Sequence, residues 1–289
     1  MIMNSKNNFD IADEIFKNKD EDEYLIRKEV ETKYTTIKET IIKSDNNPFN
    51  KEKGLYTTIE FDDLYQEDVY LEVKRYLEKY LKSFIKELTK VKRPSILIVG
   101  IGNEEFSPDA LGPKVIKKVF PTSHLDDKRI KNEVSCIIPG VMGVTGLESF
   151  MIVKGILNEK KYDLLIVIDS LTTHSISRLN HVIQITDTGL TPGSGINNKR
   201  KAFNKNSLKV PVISLGIATV ISLNSIYQEL INALDINKRI KLNENDNIYL
   251  TIKEIESRIE LLTTLISDTL NTILISWFDK KVIIDNIYS

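Results

Sequence analysis

Asp109 and Asp169 are the residues of this chain whose type and placement could do chemistry. Each follows a short apolar run, residues 95–99 (Ser-Ile-Leu-Ile-Val) and 164–168 (Leu-Leu-Ile-Val-Ile). Two carboxylates brought close together cannot both ionise cheaply, so they share a proton and titrate as a unit. The charged member can then take a proton from water while the protonated member polarises a carbonyl or protonates a leaving nitrogen. That is hydrolytic chemistry, and it requires the fold to bring together two side chains sixty residues apart.

The elements that would position them are legible. The run at 95–99 is bounded by Pro94 and Gly100, and its β-branched content predicts a strand buried on both faces, hence a parallel sheet. Gly100 and Gly102 allow a sharp turn, and Ser107-Pro108 reads as a helix entrance with the serine capping and the proline in the first turn. Asp109 then sits at a helix N-terminus beyond a strand's carboxyl end, where open α/β sheets place their chemistry. On this stretch alone it reads first as a complement to the helix dipole. A strand at 134–138, a helix from about 146 to 157 opened by a Thr145/Glu148 capping box, and the strand at 164–168 ending in Asp169 repeat the arrangement. A right-handed crossover would lay the two strands side by side and put both aspartates in one crevice.

Elsewhere, the region around 20–30 reads as a charged helix and the stretches at 34–42 and 56–61 as edge strands. Residues 64–88 present a wide apolar helical face that includes Leu71, Leu77, Leu81 and Phe84. Strands are expected at 182–185 and 210–215, and Thr251/Glu254 opens a C-terminal helix through Ile273. The glycine-rich stretch 187–201 lacks the Walker pattern and reads as a substrate-facing loop. It ends in Lys199, Arg200 and Lys201, which either steer acidic substrate segments or form a solvated charge run.

The chain has 40 Lys and Arg against 41 Asp and Glu, a net charge of −1, which argues against a dedicated nucleic-acid surface or a polybasic membrane anchor. No uninterrupted apolar run would span a bilayer and residues 1–10 lack a signal-peptide core, so the expected location is the cytoplasm. The lone Cys136 permits no internal disulfide and reads as a small buried hydrophobe; His124 and Trp277 are taken as structural, and Glu104 and Glu105 as surface residues.

With the segments laid out, residues 95–220 resemble the germination protease family, spore endopeptidases that degrade small acid-soluble spore proteins. The matching blocks are Gly102-Asn103 with Ser107-Pro108-Asp109-Ala110-Leu111-Gly112-Pro113, then Pro139-Gly140-Val141-Met142-Gly143-Val144-Thr145-Gly146, then Ile168-Asp169-Ser170-Leu171. The series continues with Ile183-Gln184-Ile185-Thr186-Asp187-Thr188-Gly189 through Pro192-Gly193-Ser194-Gly195 to Asn198-Lys199-Arg200. The resemblance implies an α/β fold with a twisted, mostly parallel sheet flanked by helices, phosphorylase/hydrolase-like and similar to the hydrogenase-maturing endopeptidases. An N-terminal β/α extension and C-terminal helices would be added to it. It implies Asp109 and Asp169 as the catalytic pair, no cofactor, a zymogen, a homotetramer and action in the spore core on small acid-soluble spore proteins. Residues 1–10 would be a propeptide and 11–289 a single peptidase domain. Phe9-Asp10-Ile11-Ala12-Asp13-Glu14 looks like the family's processing motif, with Phe9 in place of threonine, which places cleavage between Asp10 and Ile11.

Other departures from the family pattern are Ser170, the segment Thr173-His174-Ser175, and Gly216 to Ser222. Two other readings stand beside the aspartic one. His174, five positions past Asp169, could join the carboxylates in a metal site, and the altered Ala218 to Ser222 region is compatible with a nonenzymatic binding or assembly protein.

Overall fold

The two apolar runs ahead of the aspartates become neighbours. In the computed structural model, which describes residues 10–15, 23–125, 132–193, 200–233 and 248–275, strand β4 (Ser95–Gly100) lies parallel to β6 (Leu164–Thr173), with Gly100 opposite Ile168. Strand β5 (Glu133–Ile137) pairs with the other side of β4, and β8 (Val212–Ser222) with the other side of β6, both parallel. Beyond β8 the pairing turns antiparallel, through β7 (Val182–Thr186), β3 (Gly54–Phe61), β2 (Thr35–Ile42) and β1 (Leu25–Glu31), while the short β9 (Tyr249–Leu250) pairs with the end of β8.

The sheet is therefore mixed rather than mostly parallel. Parallel pairing is confined to β5, β4, β6 and β8, where helical crossovers supply the chain length that such pairing requires. The N-terminal strands, joined by residues 32–34 and 43–53 with no helix between them, pair as an antiparallel meander. Helices α1 (Glu67–Thr89), α2 (Leu111–Lys118) and α7 (Ile255–Leu274) cover one face, burying Ile96, Ile98, Ile166, Ile168, Ile213 and Leu215 beneath them. On the other face, Leu97, Val99, Leu165, Val167 and Val212 meet Phe150 and Val153 of α4 (Ser149–Glu159), together with Phe203. Successive residues of β4 and β6 thus point into two cores, which is why both strands read as uninterrupted apolar runs.

Several local expectations are corrected. The region read as a charged helix is strand β1, whose first residue Leu25 is buried while the following six are exposed; as the sheet edge it carries charges that discourage further pairing. Strands β2 and β3 are consequently internal. Ser107 does not cap a helix: residues 107–109 form a 3-10 turn with no side-chain cap, and the Ser107 hydroxyl donates instead to Glu256 Oε1 at 3.2 Å. Neither capping box forms. Thr145 ends a short helix α3 (Met142–Thr145), its hydroxyl donating to Val141 O, while Thr251 donates to Thr219 O at 2.7 Å. Leu71 is 53% exposed and lies off the buried face of α1. Helices α5 (Lys205–Leu208) and α6 (Leu223–Ala233) complete the described elements. Among the described residues, no helix is long and apolar enough to cross a membrane.

Candidate active site

Asp109 reaches its place through a turn that only glycine permits. At φ 127° Gly102 is in a conformation that side chains rarely adopt, and a Cβ there would lie 1.9 Å from the carbonyl oxygen of Asp109. The backbone N–H of Asn103, next in the chain, donates to Asp109 Oδ2 at 2.8 Å and fixes the carboxylate. Gly112, at the start of α2, packs directly on the strand ends, where a Cβ would come within 2.2 Å of Ile101 O. The N–H of Ile101 bonds Ile168 O at 2.8 Å, so the loop that carries Asp109 is stitched to the residue before Asp169.

Asp169 lies inside β6 rather than past its end, because β6 and β8 continue pairing to Thr173 and Ile221. It is 5% exposed and accepts the N–H of Ser170 at 2.9 Å. Burial above all, with the charges of Asp109 and Asp10 added, pushes its carboxyl well above the usual range, and the Arg200 guanidinium opposes this. Asp109 is pushed up to about 6, again chiefly by burial, with the Asn103 N–H and Arg200 pulling the other way. Asp109 and Arg200 thus lie within electrostatic range of Asp169 and form one charged group with it.

The third carboxylate in that group is Asp10. A cleft of about 350 Å³ is lined by Asp10, Lys51, Asp169, Leu171, Gln184 and Gly189 among others. Asp169, Gly216 and Gln184 stand in one row across β6, β8 and β7. Gln184 brackets residue 11: its Nε2 donates to Asp10 O at 3.0 Å and its Oε1 accepts from Ala12 N at 2.8 Å. The Asp10 carboxylate accepts the N–H of Thr172 at 2.9 Å. Ile11 is fully buried among Leu171, Val182 and Ala218, and Ala12 fully buried against Leu25, Ile42 and Tyr56. Asp10 thus lines the same cleft as Asp169, with the fully buried Ile11 next to it in the chain. Ala218, one of the departures from the family pattern, forms part of the wall against which Ile11 packs.

His174 turns its Nδ1 to Ser225 Oγ at 2.7 Å, while its N–H donates to Glu14. Among the described residues no three His, Cys, Asp or Glu side chains are grouped so as to hold a metal ion. Lys201 stacks over the Phe150 ring at 5.6 Å. Glu104 and Glu105 are exposed, as is His124, and Cys136 is half-buried with its thiol pushed up to about 12 by burial. Lys199, Phe9 and Trp277 lie outside the described residues.

Sequence reasoning missed Gln184, Thr172 and Arg178. Gln184 carried a usable signal, an amide in the otherwise apolar or β-branched run Val182–Thr186, where a buried polar side chain needs a partner. Thr172 acts through its backbone, and Arg178 meets its partners from another part of the chain; neither fact is visible in composition or periodicity.

Fold and site together define an α/β protein with a cleft lined by Asp10 and Asp169 over strands β3, β6, β7 and β8 of its mixed sheet. The family model described as germination protease matches residues 3–246, and the chain belongs to that family. It is similar to the germination proteases of Bacillus cereus (39% identity over 216 residues), Bacillus cytotoxicus (40% over 216) and Bacillus mycoides (39% over 216). Each alignment takes in 72% of this chain, and the chain spans 59% of the length of each of these relatives.

Proposed function

We propose that this chain is an endopeptidase, made as a zymogen, that initiates the degradation of small acid-soluble spore proteins during germination, and that Asp109 and Asp169 form its catalytic pair. The observation that carries the reading is that Asp10, the residue before the proposed cut, lines the same cleft as Asp169 and is close enough to raise its carboxyl. This reading assigns the same groove to the chain's own processing bond and to substrates.

The roles follow from the environments. Asp169, buried and facing two other carboxylates, keeps its proton; Asp109, the less shielded of the two, ionises above about 6. Ionised Asp109 takes a proton from a water molecule as its oxygen bonds the carbonyl carbon of Asp10. Protonated Asp169 delivers its proton to the nitrogen of Ile11 as the C–N bond breaks, so the pair ends with its proton exchanged between partners. Gln184 Nε2, already on the carbonyl oxygen of Asp10 at 3.0 Å, stabilises the charge that grows there. Arg200 holds the pair's net charge in check, and with Lys199 it is assigned to substrate binding.

The reading also takes residues 1–10 as the propeptide, 11–289 as one peptidase domain related in fold to the hydrogenase-maturing endopeptidases, and the working form as a homotetramer in the spore core. No cofactor enters the mechanism. Incubation with a purified small acid-soluble spore protein tests it. Discrete fragments are expected from the wild type and none from Asp109→Asn or Asp169→Asn, and intact substrate throughout would refute the reading.

A further inference from the structure

Beyond Ile11 and Ala12 the bound segment ends in a charged pocket. Arg178 follows β6 in the 3-10 turn Ile176–Arg178 and donates from Nη2 to both carboxylate oxygens of Asp13 at 2.9 Å. Its Nη1 lies 3.2 Å from Glu14 Oε1. Glu14 also accepts from the Thr173 hydroxyl and from the N–H of His174 at 3.0 Å, and Asp13 accepts from Thr58 Oγ1 at 3.3 Å. The side chains of Arg178, Asp13 and Glu14 are only 12%, 10% and 6% exposed, so this is a shielded fork rather than a screened surface pair.

The remaining partners of Arg178 belong to the sheet. Its Nη2 is 3.0 Å from Glu60 Oε1 on β3, and Glu60 takes Lys38 Nζ of β2 at 2.8 Å. Without the segment, Arg178 and Lys38 would face Glu60 alone, leaving one net positive charge in a groove whose floor is already set by β2, β3 and β6. A site of that charge selects for acidic chains and against neutral ones.

We propose that Arg178 is a specificity-determining residue, which selects polypeptides carrying acidic residues at the third and fourth positions after the scissile bond. The inference rests on the reading of Asp10–Ile11 as the bond that is cut.

Two measurements on the full chain test it. The first uses two peptides with the sequence of residues 5–18, one unchanged and one with Asn and Gln at positions 13 and 14. Wild type should cut the acidic peptide with kcat/KM about tenfold or more above the neutral one. Arg178→Gln should cut the two peptides with equal kcat/KM, the preference being lost through KM, and Arg178→Lys, which keeps charge but loses the fork, should fall between. The second is hydrogen exchange: Arg178→Gln should lose protection at the Ala12 amide while β4 and β6 stay protected, which also verifies folding. Unchanged preference, or unchanged protection at Ala12, overturns the role of Arg178. Release of the segment with neither peptide cut by wild type would instead leave Arg178 as a segment anchor and overturn the peptidase reading.

Discussion

Replacing Asp109 by Asn should make the protein more stable at neutral pH while removing its cleavage activity. The Asp109 carboxyl titrates at about 6 in the folded chain against 3.8 for the free group, and burial is the main cause. Below 3.8 both states hold the proton and the group costs nothing. As pH rises from 3.8 through about 6 the unfolded chain releases its proton first, so folding stability is lost across that window. The difference corresponds to about 3 kcal/mol of destabilisation at pH 7.5 and about half of that at pH 5. Asn is nearly the same shape and its Oδ1 can still accept the Asn103 N–H, so the substitution removes the cost without removing the bond. Urea unfolding of both proteins at the two pH values reads the effect directly. A variant that is less stable than wild type at pH 7.5, or that gains equally at both values, refutes the argument that Asp109 is held as a strained charge. A catalytic group that costs stability is what a site built for function predicts.

Further predictions follow from the same geometry. Gln184→Leu should lower kcat by about 10²-fold or more with a smaller change in KM, since it removes a donor from the carbonyl that develops charge; steady-state kinetics on the residue 5–18 peptide checks this, and a pure KM effect would reduce Gln184 to a clamp. Gly102→Ala should destabilise by more than about 1 kcal/mol and impair cleavage, because a Cβ would strike the Asp109 carbonyl at a positive φ; thermal unfolding with an activity assay measures both. Cleavage should persist in excess EDTA, and loss of activity restored by a divalent cation would overturn the cofactor-free mechanism.

How much of this could be read from the sequence depended on whether the signal was local. The runs at 95–99 and 164–168 announced β4 and β6 because strands buried on both faces leave no polar alternation. The meander β1, β2 and β3 was only half legible: β1 exposes six of its seven residues, so its alternation vanished into a charged stretch that also suits a helix. Caps failed for a similar reason. Thr145 and Thr251 have the right spacing to their glutamates, yet backbone carbonyls at Val141 and Thr219 offered their hydroxyls a nearer partner. The length of β6 was hidden because pairing with β8, not the residues of β6 alone, carries the strand past Asp169. The groove contacts of Gln184, Thr172 and Arg178 to residues 10–14 span more than 150 positions and exist only once the sheet is assembled.

The claim on which the rest depends is that Asp109 and Asp169 together hydrolyse the bond between Asp10 and Ile11. Intact-mass and N-terminal sequencing of the purified chain, incubated alone beside its Asp109→Asn and Asp169→Asn variants, tests this most directly. A new N-terminus at Ile11 is expected in the wild type and an unprocessed chain in both variants. Processing at Ile11 in either variant, or a wild-type cut at another bond, would contradict it.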